Sequence, residues 1–269
     1  MSQGLATQLR EGTKKSHSAA ESTDFIKGFL KGVVDKTSYS KLAANLYFVY
    51  AALEAEFTRH QHHPVVGKLY YPELWREQSL EQDLAYYFGA NWRDRVQASP
   101  ACQNYVQRIK EISDKEPELL AAHAYTRYMG DLSGGQILKN IAKKAMGLQG
   151  NEGTAFYEFD TIRNHGEFKK RYRASLDTLP VDQATADRIV DEANHAFHQN
   201  MDMFRELQGN WFVALLRFLW NSIWSFLTSR LSPTPEEATE TPSSSNAVQS
   251  VSSTQAVTPT VVATQATSQ

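Results

Sequence analysis

Residues 123–140 read H-A-Y-T-R-Y-M-G-D-L-S-G-G-Q-I-L-K-N, setting an acid, Asp131, and a hydroxyl, Ser133, among three glycines. Apolar residues on either side (Leu119, Leu120, Tyr125 and Tyr128 before; Ile137, Leu138, Ile141 and Ala142 after) keep a helical rhythm through the stretch. Each interior glycine costs about 1 kcal/mol relative to alanine, so Gly130, Gly134 and Gly135 together give up roughly 2–3 kcal/mol. A helix that bends and lies directly against a large flat ligand recovers that cost, with Asp131 and Ser133 as polar groups on the contact surface. The competing reading is a loop between two helices, in which Asp131 or Ser133 caps the second. A phosphate loop is excluded, because no Lys-Ser/Thr follows the glycines and no strand precedes them.

Three further spacings could do chemistry. Glu21 stands four residues after His17, one helical turn away, where a carboxylate can accept an imidazole N–H and fix the tautomer. Such an imidazole is either a metal ligand or simply a solvated side chain. Lys169 and Arg173 share one helical face, suited to gripping carboxylates or to forming an ordinary basic surface. Glu192 and His195 form a Glu-x-x-His pair of the kind that builds di-iron sites when two helices each supply one. No second Glu-x-x-His is present, so that reading lacks its partner helix. His60, His62 and His63 precede Pro64 and read as a solvated loop; His123 lies one turn before Arg127, and His165 near a helix start.

The string A-Y-T-R-Y-M-G-D-L-S-G-G-Q resembles the signature of the haem oxygenase family. L-R-E-G-T-K-K-S-H-S-A-A-E, around His17, is similar to the family's haem-ligand segment. F-K-K-R-Y-R (168–173) and F-H-Q-N-M-D-M-F (197–204) match two later family segments in the same order. The resemblance spans residues 3–208 and is closest in kind to the soluble cyanobacterial and plastid branch.

The resemblance implies an all-α, single multi-helix domain with haem b held between a proximal N-terminal helix and a glycine-rich, kinked distal helix. It implies His17 as the axial iron ligand, steadied by Glu21, with the opposite iron face open. On the oxygen side it implies Asp131 as the catalytic group, with Arg127 and Gly130, holding ordered water that delivers a proton to bound O2. Arg10, Tyr125, Lys169 and Arg173 are implied to clamp the propionates, Arg10 standing where much of the family has lysine. Thr126, Ser133, Gly134 and Gly135 are implied on the distal helix surface, and Phe197 and Asn200 on the distal wall. The implied reaction is O2-dependent opening of haem at the α-meso carbon to biliverdin IXα, CO and Fe(II). No flavin or nicotinamide motif is present. Electrons are therefore implied to come from reduced ferredoxin or a similar acidic donor, and a bilin reductase is implied downstream. Lys14, Lys15, Lys139, Lys143, Lys144, Lys169, Lys170 and Arg171 would steer such a donor, or else merely confer solubility. The alternative from another class is a non-catalytic haem-binding or haem-carrying protein on the same fold.

The elements that must position these residues read as helices. At 269 residues and 41% hydrophobic content the chain suffices for one sizeable domain with extensions. A net charge of −2 argues against general nucleic-acid binding. The single Cys102 excludes an intramolecular disulfide and fits a reducing compartment. The N-terminus shows neither an apolar signal core nor an Arg/Ser-rich presequence, so a cytoplasmic location is expected. Helical periodicity runs through 39–57, 101–112, 119–146, 168–179 and 184–207. Thr37 or Ser38 is the expected start of the first, and Asp182, just after Pro180, of the last. Breaks are expected at 62–67 and 151–153.

The catalytic domain is assigned to 1–209. From 210 to 230 the chain becomes densely apolar, although Arg217 and Asn221 interrupt it. Its 17-residue core, 211–227, is at or below the length of a membrane-spanning helix. It reads as a terminal helix packed on the core or as a helix in peripheral contact with a membrane surface, its three tryptophans at the interface. Residues 231–269 contain no lysine and no aromatic, and a disordered tail is expected there.

Overall fold

Asp35 opens the longest core helix by accepting the Ser38 N–H at 2.9 Å and the Ser38 hydroxyl at 2.8 Å. This computed structural model describes the backbone of residues 3–231 and the side chains of residues 3–207. The helices are α1 (Leu5–Gly12), α2 (Lys14–Glu21), α3 (Asp24–Leu30), α4 (Lys36–Arg59), α5 (Glu77–Phe88) and α6 (Pro100–Lys115). There follow α7 (Leu120–Ala124), a wider π-helical turn (Tyr125–Met129), α8 (Gly130–Met146), α9 (His165–Asp177) and α10 (Gln183–Leu231). Among the described residues there is no strand, and no helix is long and apolar enough to cross a membrane. The compact unit ends at Ile223, and beyond it only helical backbone through Leu231 is described.

Several boundaries differ from those read off the sequence. The first long helix begins at Lys36, because Asp35 and not Thr37 or Ser38 supplies the cap. Asp182 does cap the last, accepting the Thr185 N–H at 2.8 Å. That helix runs through Gly209 without interruption, so 184–207 and 210–230 share one helical backbone. How the side chains of 211–227 pack, and the form of the tail beyond 231, lie outside the described residues. The 119–146 stretch leaves regular α-helical geometry before its glycines, at the π-helical turn, and Gly130, Gly134 and Gly135 remain helical. An inter-helix loop there is thereby ruled out. The N-terminal helix is broken at Thr13, whose buried hydroxyl donates to the Leu9 carbonyl at 2.7 Å, so Arg10 and His17 ride on separate helices.

The core forms where α4 lies against α5, α6 and α7. Tyr50, Leu53 and Phe57 of α4 meet Leu80 and Leu84, Tyr105 and Ile109, and Leu120, all fully or nearly fully buried. Each such side chain contributes about 1.5–3 kcal/mol relative to exposure. The short N-terminal helices are tied on by polar contacts. Asp177 of α9 accepts the Ala6 N–H at 2.8 Å, and Asn194 of α10 accepts from Ser16 at 2.6 Å and donates to the Gly12 carbonyl at 3.2 Å.

Two buried carboxylates close backbone ends at long range. Glu54 accepts the N–H groups of Arg76 and Glu77 (2.5 and 3.2 Å) at the start of α5. Asp83 accepts those of Ala155 and Phe156 (2.7 and 2.9 Å) at the tight turn Ala155–Tyr157. Burial pushes both carboxyls up to about 7, against the pull of these N–H groups. A carboxyl whose folded pKa lies above its unfolded value contributes stability that is fully present below about pH 4 and lost as pH rises through about 7. The stability difference between wild type and Asp83→Asn, from urea unfolding, should therefore fall by on the order of 3 kcal/mol between pH 4 and pH 7.5. A difference that grows with pH would contradict the assignment.

Candidate active site

A cleft of about 920 Å³ opens between α1, α2 and α3 on one side and the π-helical turn with α8 on the other. Its walls include Phe29, Leu42, Leu46, Met129, Leu138, Phe156 and Phe204, and apolar surface predominates over that of the polar side chains set among them. That combination is what a ligand of haem size requires.

His17 of α2 stands on the proximal wall, its ring edge-on to Phe197 at 5.8 Å between centroids. Phe197 therefore packs beside the proximal histidine and not on the expected distal wall, where Asn200 joins Arg127. The imidazole makes no hydrogen bond to another described residue. Glu21 stands one turn on, with its carboxylate 3.7 Å from Nδ1, in reach but beyond hydrogen-bond length. Both side chains are more than half exposed, at 57% and 62%. On the opposite wall, Asp131 is only 8% exposed and accepts a short hydrogen bond from the Tyr50 hydroxyl. Arg127 donates from Nε to the Tyr50 oxygen at 3.0 Å and from its terminal nitrogen to the Asn200 amide oxygen at 2.6 Å. The result is a continuous chain, Asn200–Arg127–Tyr50–Asp131, drawn from α10, the π-helical turn, α4 and α8. Burial pushes the Asp131 carboxyl above its ordinary range, opposed by the Arg127 charge, the Tyr50 hydrogen bond and the Arg76 charge. Burial likewise drives the Tyr50 phenol up, so it stays a donor.

The glycines divide by role. A Cβ at Gly130 or Gly134 would meet nothing within 4 Å, so protein packing does not require glycine at either. Both line the cleft, where the missing side chains open room against the helix backbone. Gly135 differs, because a Cβ there would press on the Tyr157 ring at 3.2 Å. Its need for glycine therefore comes from the protein's own packing as well as from the cleft it also lines.

The basic edge is looser than the sequence suggests. Arg173 lines the cleft, as do Tyr125, Thr126 and Ser133. The Tyr125 phenol is pushed up by burial and drawn back by the charges of Arg173 and Arg10, which places all three in one neighbourhood. Arg10 also lines the cleft, its guanidinium paired with Glu11, another lining residue, at 2.8 Å. Lys169 is outside the lining, contrary to the shared-face expectation, and sits at the rim with Nζ 3.4 Å from the Ser133 hydroxyl. The buried Thr126 hydroxyl has no hydrogen-bond partner among the described residues.

Tyr50 carries no motif that singles it out. The available signal is a phenol inside an apolar helical stretch, which must find a polar partner once buried. The di-iron alternative fails on contacts. Glu192 is bound by His123 at 2.9 Å and by Arg108 at 2.5 and 3.0 Å, while His195 pairs with Gln199 at 3.0 Å. Those bonds outweigh burial and hold Glu192 at about 2, whereas burial pushes His123 down. Among the described residues no group of three or more His, Cys, Asp or Glu could hold a metal ion.

The chain of contacts at Asp131 can be tested without a ligand. Tyr50→Phe leaves a buried carboxylate short of its donor and should lower stability in urea by about 2 kcal/mol. Combined with Asp131→Asn, it should show a coupling of about 1 kcal/mol or more. Additive effects would mean that the two side chains do not act on each other.

Comparison with known proteins now bears on this geometry. The family profile described as Heme oxygenase matches residues 3–206. Heme oxygenase 1 of Nostoc sp. is 59% identical over 223 residues, covering 83% of this chain and 94% of that protein. The heme oxygenase of Rhodella violacea is 52% identical over 219 residues, covering 81% and 93%. Among solved structures, heme oxygenase-1 of Synechocystis sp. in complex with heme superposes with a TM-score of 0.81 at 57% identity. That match covers 82% of this chain and all of that one. An all-helical bundle, a cleft of this size and matches over most of its length lead to one conclusion: the chain belongs to the haem oxygenase family.

Proposed function

We propose that this chain takes haem b as substrate in the cleft and opens it with O2 at the α-meso carbon, giving biliverdin IXα, CO and Fe(II). The observation that carries the reading is the pairing of His17 on one wall with the buried Asp131 chain on the other, across a cleft of ligand size. The residues present fit the substrate. Gly130 and Gly134 leave open space beside the helix, the walls are largely apolar, and the polar groups gather at His17, at Asp131 and at the basic edge.

Bound haem supplies the iron at which O2 is activated. His17 is the side chain that would ligate it, and Glu21 is the carboxylate that would hold the ring tautomer through Nδ1. Arg173, Arg10 and Tyr125, with Lys169 at the rim, would bind the two propionates and so decide which edge of the ring faces the distal wall. Asp131 accepts from Tyr50 with one oxygen, which leaves carboxylate capacity turned to the cleft for an ordered water. Arg127 and Asn200 keep Tyr50 oriented as a donor, so a proton can reach that water without a strong acid standing directly on the oxygen.

Electrons come from outside in this reading, from reduced ferredoxin or a similar acidic donor, and a bilin reductase consumes the product. Two members of the basic patch already have partners, Lys139 with Glu158 and Arg171 with Glu73 at 3.2 Å. The attraction for an acidic donor thus rests chiefly on Lys14, Lys15, Lys143, Lys144, Lys169 and Lys170. Work in the cytoplasm, with 211–227 resting on a membrane surface, completes the proposal.

Mixing the full chain with haem and either ascorbate or reduced ferredoxin should make the Soret band decay while bilin absorbance grows. A stable Soret band with no bilin would turn the reading to a haem carrier. His17→Ala should abolish the imidazole-ligated spectrum and lower turnover by 100-fold or more, on the order of what loss of an activating ligand costs. Unchanged turnover would remove His17 from the iron. Arg173→Glu in combination with Lys169→Glu should weaken haem binding about tenfold or scatter the bilin isomers. A pure α isomer at full affinity would refute the clamp.

A further inference from the structure

Arg76 is an anomaly that the proposed mechanism leaves unused. It is only 6% exposed, yet among the described residues no carboxylate lies within 4 Å of its guanidinium. Its nitrogens go instead to backbone carbonyls: Nε to Leu74 at 2.9 Å, and one terminal nitrogen to Phe156 at 3.3 Å and, more closely, to Glu158. The guanidinium also lies over the Phe159 ring, 3.8 Å from its centroid. A buried cation held only by neutral partners is costly, and such a charge persists when it acts on an anion further off.

One buried carboxylate, Glu54, already takes the Arg76 backbone N–H at 2.5 Å, and the further anion that feels the guanidinium charge is Asp131. The loop that Arg76 grips carries Phe156, whose ring stands edge-on to Tyr50 at 5.5 Å between centroids. Tyr50 in turn donates to Asp131. Asp83 holds the same turn from its opposite backbone ends, through the N–H groups of Ala155 and Phe156. We infer that Arg76 is a positioning residue for Asp131: through the Phe156 carbonyl it fixes the ring that seats Tyr50, and its unpaired charge favours the ionised, hydrogen-bond-accepting carboxylate. Of the groups that face Asp131, Tyr50, Tyr105, Tyr128 and Tyr157 are phenols kept neutral by burial, and Arg127 and Arg76 are the cations. Among those cations Arg127 is already engaged by Tyr50 and Asn200. The consequence for catalysis rests on the proposed proton-relay role of Asp131, but the ionisation itself does not.

The test reads Asp131 directly. The protonated-carboxyl infrared band, taken as the difference between a given protein and its Asp131→Asn counterpart, is titrated in the full chain without haem. Arg76→Gln should move the midpoint up by about 1 pH unit, while Arg76→Lys should leave it within a few tenths. A midpoint unmoved in Arg76→Gln overturns the inference, as does an equal shift in Arg76→Lys. If Arg76→Gln does not fold alone but folds together with Asp131→Asn, the coupling stands, because removing the orphaned carboxylate restores the fold. Failure in both backgrounds leaves Arg76 as scaffold only and overturns it. A shifted midpoint accompanied by unaltered bilin formation would count against the relay and leave the Arg76 coupling standing.

Discussion

A carboxylate removed from water survives only if donors replace that water, and Asp131 organises the distal half of this protein on that principle. Tyr50 is its donor, Arg127 polarises Tyr50, and Asn200 anchors Arg127. These four side chains come from three stretches far apart in sequence, around residues 50, 127–131 and 200, so the helices bearing them must pack in one register for the chain to close. The π-helical turn at Tyr125–Met129 is part of that solution. It widens the helix just before Gly130, between Arg127, which bridges Tyr50 and Asn200, and Asp131, and both side chains line the cleft.

The same buried network explains why the glycines are tolerated. A helix thinned at Gly130 and Gly134 forgoes about 2 kcal/mol of intrinsic preference. Packing around α4 compensates many times over, since its fully buried Tyr50 and Leu53 and nearly buried Phe57 bear on α5, α6 and α7. The distal wall is thus held by the core behind it. Where the ligand is to lie, it has no side chains of its own at two positions.

The proximal wall is built differently. Its helices, α1, α2 and α3, have seven or eight residues each, too short to persist in isolation. They are retained by contacts at their ends, from Asp177 and Asn194, and by a few apolar residues such as Leu9, Phe25 and Phe29. One rigid wall facing one lightly held wall is an arrangement in which a flat guest can enter and then contribute to holding its own enclosure.

The all-helical class and the places of the main helices are legible in the residues themselves. The family resemblance points to many of the cleft's polar side chains, whereas its apolar walls, among them Phe29, Leu42, Leu46 and Phe156, are not legible. Helical periodicity and turn residues act locally, and the strings around His17 and Asp131 are distinctive. Those local signals also bear the N-cap at Asp182. Tertiary structure alone decided the remainder. Tyr50 acquires a role because Asp131, 81 positions away, is brought against its hydroxyl. Glu192 is diverted from any metal because His123 and Arg108 reach it first. Lys169 stands at the rim although it shares a helix face with Arg173. The irregular turn falls at residues 125–129, nearly all buried among packed neighbours, and not at the glycines, of which Gly130 and Gly134 leave space and Gly135 packs on Tyr157. Propensity and motif act over a few residues; which buried polar group meets which partner depends on the whole packing, and no local pattern encodes it.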